Sequence, residues 1–262
     1  MIELIGVSAG YDGRDVLHGL DFTLPEGRNL CILGPNGCGK TTLLRAIAGL
    51  LPFAGDIRID GQRVKDMGRK RLAAKVALMS QVSGTFFGSY CVAETVAMGR
   101  YLHGKGGWFA GQSRQDRAAV ADCLAATGLT DLADRPIGEL SGGQLQRVFL
   151  ARTLAQQPSV ILLDEPTNHL DLKYQTELIA YLKDWSAQPG HTVVGVLHDI
   201  NLALELADQG LFLKDGRLAA AGPLDEVVTP ALLRRVYDMD VAGYMRRALT
   251  RWEGFSDVPK PL

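Results

Sequence analysis

The chain has 262 residues, 47% of them hydrophobic and 22% charged, with a formal net charge of −1. That length admits one large α/β domain, or one domain carrying a smaller insertion, with ample material for a core. The near-neutral charge gives no case for a nucleic-acid binder, and no uninterrupted apolar stretch approaches the ~20 residues of a membrane span.

The first residues, MIELIGVSAGY, show no basic region followed by a long apolar one, so no secretory signal is expected. Ile2 to Val7 alternates as a strand and Val16 to Leu24 as another. Between them lies the turn-rich Gly10-Tyr11-Asp12-Gly13, and Pro25-Glu26-Gly27 reads as closing the hairpin. The Tyr11 ring falls within reach of a base held at the next loop, although a lone aromatic also fits plain core or surface. Asn29-Leu30-Cys31-Ile32-Leu33 is a short apolar run that reads as a buried strand.

The stretch GPNGCGKTTLL, Gly34 to Leu44, fits G-x-x-x-x-G-K-[ST]. Leu43, Leu44, Ile47, Leu50 and Leu51 then recur on one face of a helix. Gly37 and Gly39 let the backbone curl so that successive N–H groups face one concave nest, which prefers an anion. The first helical turn adds unpaired donors and the positive end of its dipole. Lys40 supplies a point charge for the β- and γ-phosphates, and the Thr41 hydroxyl can ligate Mg²⁺. The pattern therefore specifies a nucleoside triphosphate.

The cysteines, Cys31, Cys38, Cys91 and Cys123, never fall as C-x-x-C, which points to a reducing compartment and away from structural zinc or disulfides. Cys38 lies inside the phosphate loop. A thiolate there would gain from the helix N-terminus and its oxidation would block nucleotide; the alternative is a small side chain filling a serine-like slot.

Gly55 to Gly61 is a short alternating strand. The basic run Arg63, Lys65, Arg69, Lys70, Arg71 and Lys75 reads as a solvated helix face. Val76 to Met79 is a further apolar run, followed by Ser80 and Gln81. From Val82 to Leu154 strand-like runs give way to helical segments around Val92–Arg100, Ser113–Gly128 and Gly143–Ala155, as an inserted helical subdomain would. Gly104 to Phe109 reads as a flexible loop carrying exposed aromatics.

Val160 to Leu163 is a fully apolar strand ending in Asp164-Glu165-Pro166. After Asp171, a helix puts Leu178, Ile179, Leu182 and Trp185 on one face. Thr192 to Leu197 is another buried strand, ending at His198-Asp199. Leu211-Phe212-Leu213, the turn Asp215-Gly216 and Arg217 to Ala221 form a hairpin, and an arginine-bearing tail follows Pro230.

Ligands of open α/β sheets collect at the carboxyl ends of strands, where Gln81, Asp164-Glu165 and His198 fall. Asp164 can hold Mg²⁺ through water opposite Thr41, and Glu165 can polarise an attacking water. Gln81 can bridge metal and water, and His198 can contact the γ-phosphate as charge builds on it. Leu140-Ser141-Gly142-Gly143-Gln144 opens a second helix with a glycine-rich N-terminus and Ser141 as its cap. It has no lysine, so it suits a lid over a phosphate held elsewhere.

In this order, the phosphate loop, LSGGQ, VILLDEP and His198 resemble the ATP-binding cassette (ABC) ATPases from about Ile2 to Val228. The resemblance implies a P-loop NTPase, RecA-like α/β core with an N-terminal antiparallel β segment and an inserted all-helical subdomain. Residues 1–81 and 156–228 would form the nucleotide-binding core, 82–155 the helical subdomain and 229–262 a tail. Tyr11 becomes the adenine-stacking aromatic, with Val16, Asn36, Gly37, Cys38, Gly39, Lys40, Thr41 and Thr42 around ATP and Ser141, Gly142, Gly143 and Gln144 over it. Gln81 becomes the Q-loop glutamine, Glu165 the catalytic glutamate, Asn168 to Asp171 the D-loop and His198 the switch histidine. Thr41, Gln81 and Asp164 would serve Mg²⁺. A head-to-tail dimer, with LSGGQ of one subunit closing over ATP on the other, follows from the same likeness.

The run Glu165 to Gln175, Gly99 to His103, Asp116-Arg117 and Val236-Tyr237 look like the importer ATPases serving iron–siderophore, haem and cobalamin uptake. That implies membrane permease subunits and, indirectly, a substrate-binding protein, with this chain peripheral on the cytoplasmic face. Phe86, Phe87 and Tyr90 are either the apolar contacts for a permease helix or ordinary subdomain core. Ser80 stands where the family usually has proline, and the tail from Asp238 departs from the pattern. An exporter subunit, another metal-chelate importer and a soluble ABC ATPase are the alternatives. The span from Lys40 to Leu140 leaves no room for the coiled coil of DNA-repair types, and one copy of each motif argues against the two-cassette ribosomal types.

Overall fold

The computed structural model describes residues 1–80, 90–103, 113–168 and 170–255. Two β-sheets organise them. Strands β1 (Ile2–Tyr11), β2 (Arg14–Leu24), β4 (Phe53–Ile59) and β5 (Gln62–Arg63) form an antiparallel sheet in the order β2-β1-β4-β5. The second sheet contains β3 (Leu30–Leu33), β6 (Val76–Met79), β7 (Val160–Asp164), β8 (Thr192–Val196), β9 (Gln209–Lys214) and β10 (Arg217–Pro223). Its order is β10-β9-β3-β8-β7-β6. All neighbours there are parallel except the terminal β9–β10 hairpin. Strands β3, β7 and β8 are buried along their whole length, as they must be when both faces are covered, which is why they read as unbroken apolar runs.

Helix α1 (Lys40–Ile47) lies between the sheets. Its Leu43, Leu44 and Ile47 pack with Leu17, Leu20 and Leu24 of β2, Ile32 of β3, and Ile57 and Ile59 of β4. Each of these leucines is wholly removed from water, worth about 2 kcal/mol apiece in transfer free energy. The helical pattern in the sequence extends to Leu51, but the helix stops sooner. Gly49 takes φ 67°, its N–H donates to Ala46 O at 3.0 Å and the Leu50 N–H to Arg45 O at 2.9 Å. This paired closure satisfies the last carbonyls and turns Leu50 out to solvent, 67% exposed.

Pro25-Glu26-Gly27 does not close the first hairpin. The β1–β2 hairpin is closed by Asp12-Gly13, both with positive φ, and Gly10 and Tyr11 belong to β1. Pro25–Gly27 instead carries the chain from the antiparallel sheet into β3 of the parallel one.

The far face of the parallel sheet is covered by α6 (Leu172–Ser186), α7 (Ile200–Leu206) and α9 (Pro230–Tyr237). Leu178, Ile179, Leu182, Leu206, Leu233 and Val236 pack there against Ile161, Val193 and Phe212. Helix α2 (Arg69–Lys75) buries only Leu72, in keeping with a solvated basic face. A separate apolar cluster joins α3 (Val92–Ala97), α4 (Arg114–Ala126) and α5 (Gly142–Ala155) through Val92, Val96, Val120, Leu124, Val148 and Ala151. The short α8 (Leu224–Val227) precedes α9, and α10 (Val241–Glu253) closes the described chain. None of the described helices is long and apolar enough to cross a membrane.

Candidate functional site

The phosphate loop runs from the end of β3 to the start of α1. Gly34, Gly37 and Gly39 have φ of 148°, 80° and 105°, the region that favours glycine. Gly34 also passes so close to Leu213 O that a Cβ there would sit 2.2 Å from it. Lys40 is 5% exposed, and its Nζ donates to the carbonyls of Gly34 and Pro35, both at 2.9 Å. The ammonium is thus drawn back over the loop that its own residue terminates. Asn36 and Gly37 are exposed, while Cys38, Gly39 and Thr42 are buried. Burial raises the Cys38 pKa despite the nearby Lys40 charge, so the thiol stays protonated. That favours the small-side-chain reading over a reactive thiolate.

Tyr11 is 39% exposed at the end of β1, and its hydroxyl accepts from Arg45 Nη1 of α1 at 3.1 Å. A flat ring therefore stands beside the helix that begins at the phosphate loop. Val16 and Leu17 lie beneath the loop, next to the Gly39 Cα.

At the end of β7, the Thr41 hydroxyl donates to Asp164 Oδ1 at 3.0 Å. Asp164 is nearly buried, and desolvation raises its pKa, opposed chiefly by the Thr41 hydrogen bond. A carboxylate in this state is short of positive charge, and a cation would relieve it.

Glu165 follows with φ 56°, a left-handed conformation that is strained for a side chain of this kind. Its N–H donates to Val196 O at 3.1 Å, holding the turn to β8. One carboxylate oxygen, Oε1, lies 2.6 Å from His198 Nε2; the other, Oε2, accepts from Asn168 Nδ2 at 2.6 Å. The carboxylate is thereby fixed from two sides. The sequence set His198 toward a phosphate, and its contact here is with Glu165. Asp171 caps α6 by accepting from the Tyr174 N–H at 3.0 Å, and Leu170 is buried.

Ser141 caps α5. Its Oγ accepts from the Gln144 N–H at 3.3 Å while Gln144 Oε1 accepts from the Ser141 N–H at 2.9 Å, a reciprocal box that leaves the Gly142-Gly143 backbone open. Gln81, Phe86 and Phe87 lie outside the described residues, as does the loop with Trp108 and Phe109. Tyr90 is described: it is 37% exposed, and its carbonyl accepts from the Ile137 N–H.

Two contacts at the site carry no local signal in the sequence. The phenol of Tyr237, at the end of α9, meets the backbone of Gly34, and burial pushes its pKa up to about 12. Gln146 Nε2 donates to the carbonyls of Pro166 at 2.6 Å and Glu165 at 3.3 Å.

The family model described as ABC transporter matches residues 17–168. The ferric enterobactin transport ATP-binding protein FepC of Escherichia coli K12 is 38% identical over 234 residues, covering 89% of this chain and 85% of that protein. The hemin import ATP-binding protein HmuV of Streptomyces coelicolor is 43% identical over 238 residues, covering 90% and 82%. Among solved structures, the dimeric ATP-binding cassette MJ0796, bound to ADP and Pi after hydrolysis, superposes with a TM-score of 0.76 at 30% identity. It covers 86% of this chain and 99% of that one. An inward-facing ABC transporter of metal-chelate type gives a TM-score of 0.78 at 30% identity, covering 91% and 89%.

Proposed function

The chain belongs to the ABC transporter family, and from that membership we propose that it is the ATP-hydrolysing, energy-coupling subunit of an importer for iron–siderophore, haem or related chelates. The observation that carries the hydrolytic part is the Glu165 carboxylate, held between His198 Nε2 and Asn168 Nδ2 beyond the phosphate loop. The importer part rests on relatives named for siderophore and haem import.

In this reading Tyr11 stacks on the adenine, and Val16 packs beneath the loop. The backbone N–H groups of Asn36 to Thr42, with the Lys40 ammonium, take the phosphates. Lys40 exchanges its two loop carbonyls for β- and γ-phosphate oxygens. Thr41 and Asp164, with Gln81, would hold Mg²⁺. Among the described residues no three His, Cys, Asp or Glu cluster as a cage, so such an ion takes most of its oxygens from nucleotide and water. Bound there, Mg²⁺ would neutralise charge on the β- and γ-oxygens. Glu165 accepts the proton of the attacking water at its carboxylate, and His198 fixes the rotamer in which it does so.

Ser141, Gly142, Gly143 and Gln144 close over the ATP of a second copy, head to tail. That copy supplies the same turn in return, so each dimer encloses two nucleotides. Closure drives the permease and hydrolysis resets it, at the cytoplasmic face of the membrane. Residues 1–81 and 156–228 act as the nucleotide core, 82–155 as the helical block that meets the permease near Phe86, Phe87 and Tyr90, and 229–262 as a tail. A substrate-binding protein delivers the cargo to the permease.

The test pairs wild type with Glu165→Gln, measuring ATP turnover and size-exclusion behaviour under Mg-ATP. The variant is expected to lose turnover by about 100-fold or more and to elute as an ATP-dependent dimer. Hydrolysis at the wild-type rate would remove Glu165 from the mechanism.

A further inference from the structure

We propose that Gln146 is a positioning residue for hydrolysis: its side-chain amide holds the backbone of Glu165 and Pro166 and ties it to the helix that begins at Ser141. The inference rests on the reading of Glu165 given above and adds a part to it.

Glu165 keeps a left-handed φ of 56°, a conformation that persists in a side-chain-bearing residue only where its surroundings over-determine it. The strand partner Val196 fixes its N–H, and its carbonyl accepts from the Asn168 N–H at 3.3 Å. Gln146 Nε2 donates to that same carbonyl at 3.3 Å and, more closely, to the next one at 2.6 Å. One amide therefore bridges the carbonyls of two successive residues, Glu165 and Pro166, on either side of the proline ring. The amide thus pins the backbone from which the carboxylate reaches His198 and Asn168.

Gln146 lies in the second turn of α5, whose first turn carries the open Gly142-Gly143 backbone. Its neighbour Arg147 turns elsewhere, with its guanidinium over the Tyr174 ring at 4.3 Å and Nη1 donating to Thr127 O and Gly128 O. Beside the strap is a cavity of about 130 Å³ lined by Met79, Leu150, Leu170, Tyr174 and Leu178 among others. Gln146 lines this cavity too, so its amide reaches from α5 to the loop after β7 along the cavity's wall, beside the apolar contacts of Leu150 and Leu170. In the head-to-tail dimer, the α5 terminus meets the partner's nucleotide while Glu165 serves its own. The Gln146 amide accordingly connects one nucleotide site to the other.

The experiment uses the full chain under Mg-ATP, with Gln146→Ala, the near-isosteric Gln146→Glu, and Gln146→Lys, whose ammonium can again donate to both carbonyls. Nucleotide affinity, melting temperature, kcat, KM and the Hill coefficient for ATP are measured for each, beside Glu165→Gln. Expected for Ala and Glu are a kcat lowered about tenfold, a Hill coefficient moved toward one, and affinity and KM within about twofold of wild type. Lys is expected to recover most of the lost turnover. Gln146→Glu at wild-type kcat overturns the proposal. So does a loss of kcat matched by equal losses of nucleotide affinity and melting temperature, or one that Lys fails to restore. Should Gln146→Ala not fold, Glu and Lys decide the matter. An inactive Glu165→Gln beside an unaffected Gln146→Glu rejects the strap alone, whereas a fully active Glu165→Gln rejects the reading beneath it.

Discussion

Lys40 and Arg100 are both buried cations, and they behave differently because of what surrounds them. Lys40 is satisfied by backbone carbonyls that a phosphate can replace, so its charge is available to a ligand. Lys40→Ala is expected to fold and to lose nucleotide binding by about 100-fold or more, read by titration with a fluorescent ATP analogue. Arg100, 5% exposed, is spent on the protein itself. Its Nε donates to Asp116 Oδ1 at 2.9 Å, and Nη1 donates to Ala155 O and Gln157 Oε1, both at 2.8 Å. In the sequence Arg100 and Asp116 stood out only as part of a resemblance to importer ATPases; the structure gives them a structural role among the helices. Arg100→Ala leaves Asp116 without its cation and is expected to destabilise the chain by about 3 kcal/mol in urea unfolding. The Ser113 hydroxyl, then Arg100, hold the Asp116 pKa below its ordinary 3.8. A depressed carboxylate stabilises the fold above its unfolded pKa and loses that contribution as pH falls through the folded one. The gap between wild type and Arg100→Ala should therefore stay constant from neutral pH down to about 5 and narrow below 3.8.

Element ends were legible where a single residue type settles them. Ser113 and Ser141 cap α4 and α5 through reciprocal boxes with Asp116 and Gln144. Ser113→Ala is expected to cost about 1 kcal/mol, measured by thermal melting. The apolar strands β3, β7 and β8 were legible for the same kind of reason, since burial on both faces leaves no alternation to misread. The end of α1 was not, because the leucine spacing continues past Gly49 while the backbone does not. Nor was the exit from β2: a proline-glycine turn looks the same whether it closes a hairpin or leads to another sheet. At Gly216, on the β9–β10 turn, a Cβ would lie 1.9 Å from Val16 O, where the two sheets touch. With φ 71° as well, Gly216→Ala is expected to lower the melting temperature and weaken nucleotide binding together, since Val16 underlies the phosphate loop. A drop in the first without the second would separate the sheet contact from the site.

At the scale of the molecule, the sequence showed which residues stand at strand ends but not the order in which the strands lie. Pairing of β3 with β8 and β9 depends on contacts between distant segments, and no local pattern records them. The same limit hid the His198–Glu165 and Gln146–Pro166 contacts, each joining residues from different elements. Asn29 shows what secures the order. Its side chain accepts from the Val193 N–H at 2.9 Å and donates to Ser186 Oγ and Leu206 O at 2.7 and 3.3 Å. Asn29→Ala orphans a buried N–H and a buried carbonyl, and about 3 kcal/mol of stability should go with them in urea unfolding.

The strand order also bears on how the chain is made. The antiparallel sheet is complete by Arg63, so it can form soon after its residues leave the ribosome. The strand that carries the phosphate loop has no such neighbour at hand. The bond between Asn29 and Val193 spans 164 positions, about 8–30 s of translation. Through that interval Leu30 to Leu33 is an apolar strand with both edges open, the kind of segment that invites pairing with another nascent chain. A polypeptide halted before β8 already contains every residue of the phosphate loop but neither of the strands, β8 and β9, that flank β3. The loop that takes the phosphates is thus made early, and the scaffold that fixes its strand is made late.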